Sequence, residues 1–160
     1  MADKQTPIGS GFDAGTTAQQ ALAGSDLRGK TVIVTGGYSG IGLETVRVLV
    51  DAGAQVIVPA RDPEKAERNL SGIIGVEHAS LDLLDPISID RFAENFLASD
   101  RALNLLINSA GIMATPLQRD TRGFEAQFAT NHLGHFQLTA RLWPALREAN
   151  GARVVSVSSL

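Results

Sequence analysis

The chain has 160 residues, 44% apolar and 19% charged, with a net charge of −3 and no cysteine. That length suits one domain able to bury roughly 70% of its unfolded surface. The charge balance argues against a nucleic-acid or anionic-membrane partner, and the absence of cysteine excludes disulfides and thiolate chemistry, which fits a reducing cytoplasm.

The sequence opens without a basic-then-apolar leader, and no apolar run approaches the roughly 20 residues of a membrane span. The expectation is therefore a soluble, cytoplasmic protein. Residues Met1 to Gly15 are polar and Gly-rich without a period, and are expected to be mobile. Thr16 to Gly24 reads as a short helix, capped by Thr and ended by Gly. Residues 1–30 are expected to form an arm and 31–160 the domain proper.

Thr31 to Thr35 is a β-branched run suited to a strand buried on both faces. It meets the Gly-rich turn Gly36-Gly37-Tyr38-Ser39-Gly40-Ile41-Gly42 and passes into a helix pattern that continues to Val50. A strand turning tightly into a helix aims free amides and the positive end of the helix dipole at one point, which suits a phosphate. Gly36 supplies unusual turn angles, Gly40 lets a pyrophosphate approach the main chain, and Gly42 lets helix and strand lie close. A plain structural turn is the competing reading. The strand before it and the helix after it favour a dinucleotide site.

Gln55 to Ala60 is a second strand, and Arg61-Asp62-Pro63 starts a helix with Pro63 in its first turn. Gly75 to Leu81 is a weaker third strand. Asp85-Pro86 opens a helix whose Ile89, Phe92, Ala93, Phe96 and Leu97 share a face. Leu103 to Ile107 is strand four, followed by Asn108-Ser109-Ala110-Gly111. A helix is expected from about Gly123, bent near Asn131 and again at Pro144, running on towards Asn150. Arg153 to Val157 is strand five. This alternation predicts an α/β fold, a doubly wound Rossmann-type parallel sheet of five strands in the order 3-2-1-4-5, with right-handed crossovers.

The last long helix carries two apolar stripes, Leu133, Phe136, Ala140 and Trp143 on one side and Leu138, Leu142, Ala145 and Leu146 on another. One stripe suits the core; the second is either more core or a surface for a partner helix. His132 and His135 stand three apart on that helix. No Cys or helix-spaced carboxylate completes a metal set, so both are read as structural and no metal is expected. His78 stands alone and carries no signal.

Thr35-Gly36-Gly37-Tyr38-Ser39-Gly40-Ile41-Gly42 resembles the TGxxxGxG loop of the short-chain dehydrogenase/reductase family. Asn108-Ser109-Ala110-Gly111 resembles its NNAG element, with Ser in place of the second Asn. Asn131-His132-Leu133-Gly134-His135-Phe136 and Val155-Ser156-Val157-Ser158-Ser159 resemble two further blocks. The likeness runs from about Leu27 to Leu160 in the family's order and is strongest to its retinol-dehydrogenase-like and related bacterial oxidoreductases.

That resemblance implies NAD(P)-dependent hydride transfer between an alcohol and a carbonyl on a small-molecule substrate, in a parent protein that is a homo-oligomer through the helix over 131–149. It implies cofactor contacts from Gly36, Tyr38, Ser39, Gly40, Ile41, Gly42, Asn108, Ala110 and Gly111, with Asp82 and Leu83 at the adenine edge. On spacing alone, Asp82-Leu83 reads equally as a turn into a helix. Ser159 would hydrogen-bond the substrate oxygen and Asn131 would hold a water of the proton relay. Read without the family, Ser159 is a strand-end hydroxyl and Asn131 a helix cap or kink residue.

The family also uses a Tyr and, four residues later, a Lys, placed a dozen or more residues beyond the Ser. Here the only tyrosine is Tyr38, the last lysine is Lys65, and one residue follows Ser159. The expectation is the cofactor-binding front half of a dehydrogenase, inactive as it stands, with strand five left as an exposed apolar edge. A non-catalytic dinucleotide-binding or regulatory module is the alternative. A sugar-nucleotide epimerase relative is disfavoured by three residues, not two, between Gly36 and Gly40. NAD users place an acid at the end of strand two. Ala60 occupies that position and Arg61 follows, which favours NADP(H); a register one residue longer would return an acid, Asp62, to the ribose.

Overall fold

A computed structural model describes residues 9–158. The expected mobile arm falls partly, over residues 1–8, outside the described residues, as does Ser159. Helix α1 spans Ala18–Leu22 and is opened by a reciprocal cap: the Thr17 hydroxyl accepts from the Gln20 amide and the Gln20 side chain accepts from the Thr17 amide.

Five strands follow, β1 Thr31–Thr35, β2 Gln55–Ala60, β3 Val76–Ser80, β4 Leu105–Asn108 and β5 Arg153–Ser156. All pair in parallel in the order β3-β2-β1-β4-β5, as the alternation of strand and helix predicts. β1 lies at the centre and is buried along its whole length. Its side chains alternate between two cores. Ile33 joins Ile57 and Leu106 on one face, and Val32 and Val34 join Val56 and Val58 on the other.

Helices cover both faces. α2 (Gly40–Asp51) and α3 (Pro63–Leu70) bury Val46, Leu49, Ala66 and Leu70 against the valine face. α4 (Pro86–Leu97) buries Ile89, Phe92, Ala93 and Phe96 against the other, with Leu97 at its margin. Asp62 caps α3 through the Lys65 amide and Asp85 caps α4 through the Ile87 amide, each followed by a first-turn proline.

Several expected boundaries move, two of them for a reason the hydrogen bonds show. Strand four begins at Leu105, not Leu103. Leu103 is buried but its amide donates to the Ala145 carbonyl, and Asn104 ties the strand ends together, its side chain accepting from the Thr31 amide. The last helix begins at Ala126, not Gly123. Gly123 has φ +87° and lies in a turn organised by Asp120, while the Glu125 carboxylate accepts from the Gln127 and Phe128 amides at 2.8 Å each.

That helix is also discontinuous. α5 (Ala126–Phe128) passes into a π-helical turn, Ala129–Gly134, then α6 (His135–Arg141), and after Leu142 into α7 (Trp143–Glu148). The two breaks fall at Asn131 and before Pro144, as expected. Leu138, Leu142, Ala145 and Leu146 are buried, whereas Phe136 is 68% and Trp143 55% exposed. The stripe of Leu138, Leu142, Ala145 and Leu146 is core, and that of Phe136 and Trp143 faces outward.

Candidate active site

Parallel strands leave the starts of their following helices at one end of the sheet, so the loops after β1, β2, β3 and β4 meet there. They enclose a cleft of about 310 Å³. The floor is the β1–α2 turn. Gly36 has φ +69°, and a Cβ there would lie 2.8 Å from Ala110 Cα, so only glycine lets this turn rest against the loop after β4. Gly40 has φ +52° and open space where a Cβ would project. A Cβ on Gly42 would strike the Gly36 carbonyl oxygen, so its close approach is to the turn itself. The approach to the sheet falls to Gly37, whose Cβ would meet Val46 at 2.8 Å and the Val34 carbonyl at 3.1 Å. Gly37 carries no signal in the sequence, because the spacing of the motif leaves that position free.

The amides of Gly40, Ile41 and Gly42 precede the first helical hydrogen bond, from Leu43 to the Ser39 carbonyl. Ser39 is extended and its side chain caps none of them, and the first turn of α2 holds no acid. These donors and the helix dipole are therefore available to an anion. The Asn69 amide donates to the Tyr38 carbonyl at 2.8 Å and pins the turn to α3.

Arg61 lines the cleft at the end of β2 and makes no ion pair or hydrogen bond among the described residues. Asp62 is engaged as the cap of α3, its carboxylate 3.0 Å from the Lys65 amide. Asp82 and Leu83 line the cleft after β3, and Asp82 is also a turn residue, accepting from the Leu84 amide at 2.9 Å. A Cβ on Gly134 would strike the Leu83 carbonyl oxygen, which brings the π-turn against this wall.

Ser109, Ala110, Gly111 and Ile112 form the opposite wall. The Ser109 and Ala110 amides both donate to the Thr35 hydroxyl, at 3.0 Å each. Asn108 stands behind this wall, 5% exposed, donating to Thr139 Oγ1 at 3.3 Å while its Oδ1 has no partner among the described residues. Asn131 does not face the cleft directly, although its neighbour Thr130 does. Its side chain clamps Ile112 from both sides, accepting from the Ile112 amide at 2.9 Å and donating to its carbonyl at 2.8 Å.

The two histidines part company. His132 is exposed and stacks on Phe128 at 5.3 Å between ring centres. His135 is buried, its Nδ1 2.9 Å from the Asn131 carbonyl and its Nε2 2.8 Å from Thr35 Oγ1. Burial pushes its imidazole below the ordinary histidine value, against the opposing pull of the Asn131 carbonyl.

A Gly-rich turn bearing free amides at the carboxyl ends of a 3-2-1-4-5 sheet is the arrangement of a dinucleotide fold. A family model described as short chain dehydrogenase matches residues 30–160. The chain belongs to this family. Within it the chain is similar to mouse retinol dehydrogenase 12, 46% identical over 140 residues that cover 84% of this chain and 44% of that one. A crystal structure of a Mycobacterium paratuberculosis protein is 44% identical with a TM-score of 0.76, over 85% of this chain and 48% of that one. A metagenomic short-chain oxidoreductase in complex with NADP is 32% identical with a TM-score of 0.72, over 85% and 65%. The chain thus spans about half the length of the curated relatives it matches. Among the described residues no helix is long and apolar enough to cross a membrane.

Proposed function

We propose that this short-chain dehydrogenase chain forms the cofactor-binding part of an NADP(H)-dependent oxidoreductase that interconverts an alcohol and a carbonyl on a small molecule. One observation carries the reading. Gly40 leaves open space beside three uncapped α2 amides, where a side chain would otherwise stand. A diphosphate fits that cradle by charge and by size. A bound nicotinamide cofactor would supply or accept the hydride.

NADP(H) is favoured over NAD(H) because Arg61 is free on the cleft wall while Asp62 is held as a helix cap. A guanidinium there suits a 2′-phosphate, whereas an NAD site presents an acid to the ribose. The complex of the metagenomic relative with NADP agrees with this choice. Ala110, Gly111, Asp82 and Leu83 would flank the cofactor, with Asn108 acting from behind. Asn131 would hold a water of the proton relay, and Ser159 would bind the substrate oxygen.

Tyr38, the chain's only tyrosine, lies in the phosphate turn, and no lysine follows Lys65. We therefore expect binding without turnover from these 160 residues alone. A non-catalytic dinucleotide-binding module draws on the same absence. The coding sequence beyond Leu160 separates the two: a Tyr-x-x-x-Lys supports the oxidoreductase and a stop codon supports the module. The outward stripe of Phe136 and Trp143 supports a homo-oligomer of the whole protein through 131–149, and the lack of cysteine suits a cytoplasmic setting. Calorimetric titration with NADPH and NADH tests the cofactor assignment. Tighter binding of NADH would overturn the role given to Arg61, and binding of neither would overturn the site.

A further inference from the structure

Four polar residues are buried among the described residues, Thr31, Thr35, Asn108 and His135. Thr35 and Asn108 are register partners at the carboxyl ends of β1 and β4. α6 meets them with two polar side chains one turn apart, His135 on Thr35 and Thr139 on Asn108. The family motif explains Thr35 and the loop after β4. His135 lies in the Asn131–Phe136 block, yet neither that resemblance nor the cleft says what a buried imidazole does in this core.

The hydrogen bonds close into a circuit. Thr35 Oγ1 receives the Ala110 amide, and the chain runs on to Ile112. Ile112 is gripped by the Asn131 side chain, and the Asn131 carbonyl faces His135 Nδ1. His135 Nε2 returns to Thr35 Oγ1. The proton positions follow from the partners. The Asn131 carbonyl only accepts, so Nδ1 carries a proton. The Thr35 oxygen already receives two amides, so its own proton points outward. It can go to the Ile107 carbonyl at 3.4 Å or to His135 Nε2 at 2.8 Å, and the shorter contact decides for the histidine.

We infer that His135 is a positioning residue of the dinucleotide cleft: as the Nδ1–H tautomer, it locks the Ser109–Ala110 wall to the Asn131 turn through Thr35. The effect on binding rests on the dinucleotide reading above; the positioning does not. Without the imidazole, the Thr35 hydroxyl loses its better acceptor and the Asn131 carbonyl loses a donor. The Asn131 turn is then held to that wall by the Ile112 clamp, without the link through Thr35. An unmade buried hydrogen bond of this kind corresponds to roughly a tenfold change in an equilibrium.

The full chain and three variants test this. His135→Leu removes both links. The longer His135→Gln carries its amide to the Nε2 position, where the oxygen can accept the Thr35 proton, whereas the shorter His135→Asn places its amide at the Nδ1 position, within reach of the Asn131 carbonyl and not of Thr35. NADPH titration should show His135→Leu about tenfold weaker than wild type, with His135→Gln recovering most of the loss and His135→Asn little. A folded His135→Leu with wild-type affinity, or equal recovery by the Gln and Asn variants, would overturn the inference. Nitrogen-15 spectra of the wild type provide a second readout that needs no folded variant. Nδ1 should be protonated and Nε2 bare at neutral pH, and the opposite tautomer would sink the assignment. If the wild type binds neither NADPH nor NADH, the cofactor reading fails by itself. The Ser109 and Ala110 amide resonances then decide the positioning. They should move in His135→Leu and return in His135→Gln, and their immobility would refute it.

Discussion

Thr35 Oγ1 and His135 Nε2 stand 2.8 Å apart although 100 positions separate them in the chain. The contact joins the end of the central strand to the first turn of α6, and through the Ser109 and Ala110 amides it reaches the cleft wall. A neutral, buried imidazole at this junction makes both the fold and the cleft sensitive to pH.

The sign of that sensitivity follows from the shift. Burial lowers the His135 pKa in the folded state below its ordinary value of 6.5. The unfolded chain therefore binds the proton first as pH falls, and stability is highest above about pH 6.5 and declines as pH drops below it. Urea unfolding between about pH 7 and 5 should show this decline in the wild type and a smaller one in His135→Gln. Equal slopes in the two proteins would mean that His135 is not held neutral.

The glycines of the β1–α2 turn should separate folding from binding. Gly40→Ala meets no neighbour, and its φ of +52° costs about 1–2 kcal/mol. On the diphosphate reading its Cβ takes up space beside the α2 amides that the cofactor needs, so the melting temperature should fall modestly while NADPH affinity falls at least about tenfold, or 1.4 kcal/mol. Gly42→Ala must displace the Gly36 carbonyl and should lower stability as well as affinity. Thermal melts read beside titrations distinguish these outcomes, and a Gly40→Ala protein with intact affinity would count against the diphosphate cradle.

Adjacent residues at the end of β2 should have unlike effects. Arg61→Ala is expected to weaken NADPH about tenfold or more with little change in NADH, since it removes a charge-assisted contact. Asp62→Ala should cost about 1 kcal/mol of stability through loss of the α3 cap and leave cofactor preference unaltered. Parallel titrations and chemical denaturation check both, and a changed preference in Asp62→Ala would reverse the roles.

The stripes of the broken helix give a further contrast. Leu142 is fully buried, and Leu142→Ala should cost about 2–5 kcal/mol. Trp143, the next residue, is 55% exposed, and Trp143→Ala should cost under about 1 kcal/mol. Comparable losses at both positions, measured by urea unfolding, would mean that the outward stripe is covered in solution.

Where a feature depended on neighbours along the chain, the sequence alone determined it. The valine and isoleucine alternation of β1 assigns its residues to two cores because strand side chains alternate in direction. Asp62-Pro63 and Asp85-Pro86 start helices because a capping carboxylate and a fixed φ act within one turn. The spacing of Gly36, Gly40 and Gly42 marks the tight strand-to-helix turn because backbone angles are a local property. Tertiary structure decided the rest. Arg61 lines the cleft only because the end of β2 is placed beside the turn after β1. Strand four starts late because Leu103 and Asn104 find partners on α7 and β1. Gly37 matters because α2 lies against β1 and β2, and His132 and His135, alike in sequence, diverge because the π-turn leaves His132 exposed while the first residue of α6 meets Thr35. Those outcomes depend on which loops meet in space, and no period or cap in the chain encodes that meeting.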